Sequence, residues 1–253
     1  MYAEERLRLI AEQARRDGRV EVKPLAAHFG VTAETIRRDL STLERQSVLT
    51  RVHGGAIPTE RLAFEPGVAS RASVMVAEKE RIAKAALAEM PVDGAVLIDA
   101  GTTTALLAQA LPSERELTVV TNSAPVAVTL AAKPLIEVLL IGGRVRGRTL
   151  AAVGDWTTAA LAQVSIDVAF IGTNGFSVQR GLTTPDPAEA AVKRAMVGAA
   201  HRTVVLADHT KHGADALMRF ADLRIVDVLV TDTGLPADVV AEIEGAGPRV
   251  VRA

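Results

Sequence analysis

Cysteine is absent from this 253-residue chain. That excludes disulfide bridges, thiolate metal sites and a thiol nucleophile, and it is compatible with a reducing cytosol. Aromatic residues make up only 3% of the sequence, so the 49% that is hydrophobic must build an aliphatic core, rich in Ala and Val. No run approaches the ~20 consecutive apolar residues needed to cross a bilayer. The opening residues, Met1-Tyr2-Ala3-Glu4-Glu5-Arg6, lack the apolar stretch of a secretory signal. A cytoplasmic protein without a membrane partner is expected. The five histidines are scattered, and no His/Asp/Glu group has metal-ligand spacing, so neither a metal nor a cofactor is expected. Strong charge of one sign is missing too, the formal net charge being −1. Residues 1–57 carry ten Lys+Arg against eight Asp+Glu, and the remainder nineteen against twenty-two. The asymmetry is mild, so contact with nucleic acid must be argued from placement and not from bulk charge.

What is present is most pointed between Val31 and Leu43. Thr32 is placed to cap a helix. Ile36, Leu40 and Leu43 recur at i, i+4 and i+7 as one apolar stripe. Arg38, Ser41 and Thr42 point away from that stripe, and Thr35 and Arg37 flank it. Such a helix suits the major groove, where Arg donates twice to guanine and Thr meets a thymine methyl. A solvated helix with two chance arginines is the competing reading. Glu4 to Arg16 reads as a first amphipathic helix, with Leu7, Ile10, Ala11 and Ala14 on one face. Arg19 to Val22 alternates like a short strand, and Pro24 suits the first residue of a second helix closed by Gly30. Two short helices joined at a glycine form the helix-turn-helix pattern. After them, Val48 to Ile57 alternates around Gly54-Gly55 and predicts a small hairpin, or wing. Arg51 and His53 on it either reach the DNA backbone or minor groove, or belong to a hairpin that only shields the helices.

Ala33-Glu34-Thr35-Ile36-Arg37-Arg38-Asp39-Leu40, followed by Arg51-Val52-His53-Gly54-Gly55-Ala56, resembles the winged helix-turn-helix of the DeoR family of bacterial transcription regulators, and the match runs through residues 3–58. The resemblance implies binding to double-stranded operator DNA, usually repression, with Thr35, Arg37 and Arg38 facing the duplex. Asp39 is expected to orient a neighbouring arginine.

Residues 58–75 mix Pro, Gly, charge and isolated apolar residues, and are expected to link a DNA-binding domain at 1–57 to a second domain at 76–253. There a helix from Glu78 to Met90 precedes short Val/Ile/Leu runs at 95–99, 117–120, 136–141, 167–171, 203–207, 225–231 and 249–251. They alternate with helical segments at 103–111, 124–131, 155–161, 187–200 and 237–243. The pattern predicts an α/β fold with a doubly wound, mostly parallel sheet. Ligands of such folds sit at the carboxyl ends of the strands, so the loops there carry the chemistry. Asp99-Ala100-Gly101-Thr102-Thr103-Thr104 opens a helix with an anion-binding character, or is an ordinary turn capped by Thr. Thr121-Asn122-Ser123 has the same ambiguity. Gly142-Gly143-Arg144-Val145-Arg146-Gly147-Arg148 is a solvated loop or a phosphate lure. Gly172-Thr173-Asn174-Gly175 and Asp208-His209-Thr210-Lys211 complete the set, Lys211 being a natural point charge for phosphate. No Walker A or GxGxxG pattern indicates a nucleotide.

These loops, with Gly181-Leu182-Thr183 and the pair Glu189 and Lys193, resemble the sensor domain of the same family, which is similar to ribose-phosphate isomerase and binds a phosphorylated sugar. The resemblance implies a phosphate held by Gly101, Thr102, Thr103 and Lys211, with Asp99, Asn122 and Glu189 at the sugar hydroxyls. Gly143, Arg144, Gly172, Asn174 and Lys193 complete the expected effector set. The run Gly172 to Pro187 is most similar to the fructose-operon repressor branch, which implies fructose 1-phosphate as effector. A homodimer or homotetramer is expected. The main alternative is a sugar-phosphate isomerase or hydrolase with an accessory DNA domain, using Asp99, Glu189 or Asp208 as base. Against it, the isomerase carries acidic residues in the loop where this chain has Gly172-Thr173-Asn174-Gly175. A protein-interaction module, the third reading, leaves the Arg-bearing helix and the wing unexplained.

Overall fold

The computed structural model describes residues 3–45, 48–52, 54–58 and 65–253. Its chain divides into two compact units, Met1–Arg71 and Ala72–Ala253. Residues 59–64 of the expected linker, and His53 of the expected wing, lie outside the described residues.

The first unit contains α1 (Ala3–Asp17), β1 (Val20–Glu21), α2 (Val22–Phe29), α3 (Ala33–Arg45), β2 (Leu49–Val52), β3 (Gly55–Pro58) and α4 (Val68–Ala72). Ile10, Ala14, Leu25, Ile36, Leu40, Leu43 and Leu49 form its core, so the stripe of α3 is buried as its spacing predicts. α2 begins two residues before Pro24. Proline is tolerated in that first turn because the N–H it lacks has no intrahelical acceptor there. The strand expected at 19–22 therefore shrinks to two residues. It pairs with β3, Val20 opposite Ala56 and Glu21 opposite Gly55. β3 also pairs with β2, so the wing is a three-stranded sheet and not an isolated hairpin. Gly55 is required there, since a Cβ would lie 1.9 Å from the Val20 carbonyl oxygen. α4 occupies part of the span expected to be a linker.

The second unit opens with α5 (Val76–Ala86), β4 (Ala95–Ile98), α6 (Thr102–Ala110), β5 (Leu117–Thr121), α7 (Ala124–Ala131) and β6 (Ile136–Leu140). Then follow β7 (Arg144–Arg146), β8 (Ala151–Val153), α8 (Asp155–Leu161), β9 (Ile166–Gly172), β10 (Gly175–Ser177), β11 (Gly181–Thr184) and α9 (Pro187–Ala199). β12 (Ala200–Leu206), β13 (Met218–Ala221), β14 (Val228–Thr231), α10 (Ala237–Ala246) and β15 (Arg249–Arg252) complete it. A seven-stranded sheet runs in the order β15-β14-β12-β9-β4-β5-β6, and every pairing in it is parallel. Burial on both faces explains the continuous Val/Ile/Leu runs. In β9, Val168 and Phe170 join one core, with Ile82, Leu107 and Leu130 from α5, α6 and α7. Ala169 and Ile171 join the other, with Leu161, Met196 and Ile243 from α8, α9 and α10.

The strand expected at 225–231 begins only at Val228, because Asp222 caps a 3₁₀ turn over Leu223–Ile225 by accepting from the Arg224 N–H. The antiparallel pair β7-β8 and the small sheet β10-β11-β13 were not expected. Their strands are three or four residues long, too short to display a period.

One buried ion pair joins α1 to α3. Arg6 Nε donates to Asp39 Oδ2 at 2.6 Å and Arg6 Nη2 to Asp39 Oδ1 at 3.2 Å. Removing one member of such a pair strands the other charge away from water, at about 3–5 kcal/mol. Asp39→Ala is therefore expected to lower the unfolding free energy of the first unit, read from a denaturant titration, by that amount. A loss below about 1 kcal/mol, the range of an exposed pair, would show that water reaches Arg6.

Candidate functional site

The outward face of α3 is ordered by its own side chains. Thr32 Oγ1 accepts from the Thr35 N–H at 3.1 Å, the cap its position suggests, and lies 2.9 Å from the Thr35 hydroxyl. Arg37 is exposed and pairs with Glu34 at 3.1 Å. Thr42 Oγ1 donates to the Arg38 carbonyl and accepts from Arg45. Arg38 is exposed, and among the described residues its guanidinium has no hydrogen-bond or ion-pair partner. It is thus the arginine of this helix that is available to an outside acceptor without breaking an internal contact. Asp39 does orient an arginine, but that residue is Arg6 on α1 and not a neighbour on α3. Arg51 of β2 donates through Nη1 to Ser41 Oγ at 3.0 Å, and its N–H donates to Glu44 Oε1 at 3.0 Å. Ser41 and Glu44 thereby fasten the wing to α3, a role that nothing in their spacing announced.

In the second unit the sheet sets the geometry. The chain adds β5 and β6 on one side of β4, then returns to lay β9 on the other. Such a reversal opens a crevice above the carboxyl ends of the two central strands. Asp99 follows β4 and is buried. Its Oδ2 accepts from the Gly172 N–H at 3.0 Å and from Lys193. Lys193 Nζ also donates to the Gly172 carbonyl at 2.8 Å and sits 5.4 Å from the centre of the Phe220 ring. Burial pushes the Asp99 carboxyl above its ordinary range, outweighing the opposing pull of Lys193 and the Gly172 N–H. One turn earlier on α9, Glu189 accepts from Arg146 Nη1 at 2.6 Å and from Thr149 Oγ1, while Arg146 Nη2 lies 3.2 Å from Asp186. Arg146, one of the three loop arginines, is therefore bound to α9 carboxylates.

Gly101 is extended and precedes α6, whose amino end no side chain caps. By contrast, α7 is capped by Ser123 and α9 by Asp186. Asn122 ties the loop after β4 to β8, Oδ1 accepting from the Ala100 N–H and Nδ2 donating to the Ala152 carbonyl. Asn174 Oδ1 accepts from Thr184. Lys211 ends a 3₁₀ turn capped by Asp208, and its ammonium has no partner among the described residues. Gly143, at φ 152, is packed so that a Cβ would lie 2.2 Å from Thr157 Oγ1. With Arg144 and Trp156 it lines a separate cleft of about 410 Å³.

The structure thus gathers Asp99, Gly172, Glu189 and Lys193, with Gly101, Thr102 and Thr103 on the same edge. It does not gather all twelve expected effector residues. Gly143 and Arg144 follow β6, whereas Lys211 follows β12, and four strand spacings separate those strands. Arg146, Thr149 and Phe220 were missed, because their partners lie far away in sequence.

Asp232 fixes His209 in the loop after β12. Asp232 accepts from the His209 N–H at 2.8 Å, the Gly234 N–H at 2.8 Å and His209 Nδ1 at 2.7 Å. Burial would raise the Asp232 carboxyl, but these donors outweigh it and hold it below its ordinary range.

The comparisons with known proteins now decide the family. A family model for the DeoR-like helix-turn-helix domain matches residues 6–61, and one for the DeoR C terminal sensor domain matches residues 74–233. The chain belongs to the DeoR family. The HTH-type transcriptional regulator GlpR of Haloferax volcanii is 38% identical over 98% of this chain and 97% of its own. FruR of Bacillus subtilis, an HTH-type transcriptional regulator, is 35% identical over 92% of each chain. The glycerol-3-phosphate regulon repressor of Escherichia coli is 33% identical over 91% of each. None of these three is an enzyme by name. Among solved structures, ribose 5-phosphate isomerase A of Methanocaldococcus jannaschii is similar over 53% of both chains, at 17% identity and a TM-score of 0.40, too remote to say anything of activity. Among the described residues of this DeoR-family chain, no helix is long and apolar enough to cross a membrane.

The Asp232 geometry fixes a pH dependence. A carboxylate held low in the folded chain contributes stability above its unfolded value of ~3.9, and that stability is lost as pH falls through the folded value. Wild-type melting temperature is expected to exceed that of Asp232→Asn at pH 6, with the gap closing as the pH falls below 4. A gap independent of pH excludes the ionised carboxylate as its source.

Proposed function

We propose that this DeoR-family regulator represses a sugar-catabolism operon by placing α3 in the major groove of operator DNA, and that a phosphorylated sugar or polyol in the crevice above β4 and β9 alters its occupancy. The observation that carries the first half is Arg38, exposed and, among the described residues, unpartnered, on a helix whose amino end is fixed by Thr32. Thr35, Arg37, Thr42 and Arg51 border it, and Thr32 closes the face. His53 belongs to the same proposal on its sequence position alone. Two copies would set two α3 helices in successive major grooves about 34 Å apart.

The ligand half is supported by the amino end of α6, which no side chain caps, and by the ammonium of Lys211, which has no partner among the described residues. A dianionic phosphate offered to Gly101, Thr102 and Thr103 meets free N–H groups at the positive end of a helix. Asp99, Asn122, Gly172, Asn174, Glu189 and Lys193 then border the sugar, while Gly143 and Arg144 stand apart. Among the named relatives one is a glycerol-3-phosphate regulon repressor and another is FruR. Fructose 1-phosphate is therefore the first effector to try, with glycerol 3-phosphate beside it. A coupling of about 1–3 kcal/mol between the sites is enough to change operator occupancy five- to 150-fold. The isomerase alternative has no comparable support, since the relatives are regulators. Its candidate bases are also engaged, Asp99 by Lys193, Glu189 by Arg146, and Asp208 by Thr210.

Arg38→Ala is expected to weaken operator binding by about 1–3 kcal/mol in a gel-shift titration, and unchanged affinity removes Arg38 from base reading. Lys211→Ala is expected to bind operator as the wild type does and to lose most of its response to ligand. A full response from that variant moves the phosphate away from Lys211. In a thermal-shift screen of phosphorylated trioses, pentoses and hexoses, a true effector at a hundredfold its Kd adds about 2.7 kcal/mol of stability. A screen in which no compound shifts the midpoint defeats the ligand half of the proposal.

A further inference from the structure

The loop after β6 and the start of α8 border an open cleft of about 410 Å³, lined by Gly143, Arg144, Val153, Gly154, Asp155 and Trp156. It shares no lining residue with the group of Asp99, Gly172, Glu189 and Lys193. Its volume lies within the ~300–1,000 Å³ of small-molecule sites. Its walls are fixed by contacts of their own. Arg144 stands opposite Val153 in the β7-β8 ladder. Thr157 Oγ1 donates to the Gly142 carbonyl at 2.9 Å, which ties the loop after β6 to α8. Gly154 sits at φ 102°, where a side chain is strained, so that part of the wall is bare backbone. Three side chains line this space without an internal partner. The Trp156 indole is 84% exposed, although it is the one tryptophan in a chain with few aromatics. Arg144 and Asp155 are also exposed and carry opposite charges. Among the described residues, neither side chain has a hydrogen bond or ion pair, with the other or with any other group.

We propose that this cleft is a second ligand site, for a neutral sugar ring, separate from the crevice above β4 and β9. A sugar ring has a face of C–H groups that lies flat on an indole, and a rim of hydroxyls, each of which both donates and accepts. Arg144 can only donate and the Asp155 carboxylate can only accept, so adjacent hydroxyls of one ring satisfy both at once. The two formal charges cancel, which sets the charge of the ligand. A phosphorylated compound would gain from Arg144 and be repelled by Asp155, and a cation would meet the reverse. A neutral polyhydroxyl compound is the class that uses both groups and the indole together. The inference does not rest on the crevice reading. It gives Gly143 and Arg144, which stand apart from that crevice, a ligand of a different kind.

Because Trp156 is the only tryptophan, its emission reports on this cleft alone. The test titrates the full chain with glucose, galactose, fructose and N-acetylglucosamine, with their phosphates, and with adenosine as a planar control. At least one neutral sugar is expected to change the emission saturably. Asp155→Asn and Arg144→Gln are each expected to weaken that sugar about tenfold, the loss of one hydrogen bond to a charged group. Trp156→Ala, followed by saturation-transfer NMR on the sugar, is expected to abolish binding while leaving operator affinity unchanged. Lys211→Ala is expected to bind the neutral sugar as the wild type does. The proposal is overturned if no neutral sugar gives a saturable change up to about 50 mM, well above the ~1 mM of a weak site. It is equally overturned if only adenosine binds, or if Trp156→Ala still binds the sugar. A change produced by phosphorylated sugars alone, and lost in Lys211→Ala, also overturns it, since the indole then senses the crevice. Should Trp156→Ala fail to fold, the two polar variants decide, and wild-type affinity in both overturns the proposal. The crevice reading is judged separately, by the response of Lys211→Ala to phosphorylated sugars.

Discussion

Parallel pairing is the constraint on which the second unit depends. Because all seven strands run the same way, every strand-to-helix loop leaves from one edge, and the polar residues at 99, 122, 172 and 208 arrive there from distant parts of the chain. The reversal between β4 and β9 then leaves room above the sheet that no crossover helix fills. Lys193 closes the floor of that space by joining Asp99 to the Gly172 carbonyl, and the Gly172 N–H returns to Asp99. A buried lysine and a buried carboxylate are each expensive alone. They persist because each supplies the other's charge and the strand end supplies the remaining hydrogen bonds. The same turn of α9 sends Glu189 to Arg146 and Thr149, so one helix holds both the floor and the β7-β8 pair.

The first unit solves a different problem with similar means. A reading helix must present its polar face in one orientation while its apolar face is gripped. Ile36, Leu40 and Leu43 supply the grip, but an aliphatic stripe alone tolerates some rotation and sliding. The two-point contact of Arg6 with Asp39 fixes the rotation, and Ser41 with Glu44 fixes the wing against the same helix. Among the described residues Arg38 has no protein partner, which leaves its donors available to something outside.

Periodicity made the large elements legible. The spacing of Ile36, Leu40 and Leu43 gave α3, and the Val/Ile/Leu runs gave the seven strands to within about three residues at either end. The family was legible in Ala33–Leu40 and Arg51–Ala56, and the two domain matches bear it out. What was illegible has a common cause. β7, β8, β10, β11 and β13 are too short for a pattern, and their pairings depend on neighbours that no local window contains. Pro24 misled because its preference for the first turn is broader than a single position. The loop arginines were read together, although Arg146 is drawn to carboxylates on α9 that lie about forty residues on. Asp39 was read toward its sequence neighbours when its partner lay on another helix. In each case sequence proximity stood in for spatial proximity and failed where the contact was long-range.

The electrostatics of the crevice restrict how a ligand can act under the proposed reading. Asp99 is held above its ordinary range because burial outweighs Lys193, so the charged carboxylate there is under-solvated. A sugar hydroxyl donating to it would stabilise the charged form and draw the floor together, without needing to displace Lys193. A phosphate placed directly beside Asp99 would do the opposite, adding like charge to a poorly solvated site. The favourable orientation therefore sets the hydroxyls over Asp99 and the phosphate away from it, at the uncapped end of α6. Two ends of one small molecule then meet two environments of opposite sign, a carboxylate that seeks donors and a helix terminus that seeks an anion. An unphosphorylated sugar satisfies the first and leaves the second to water, and inorganic phosphate does the reverse. Under the proposed reading, that pairing of unlike sites would favour the phosphorylated sugar over either fragment.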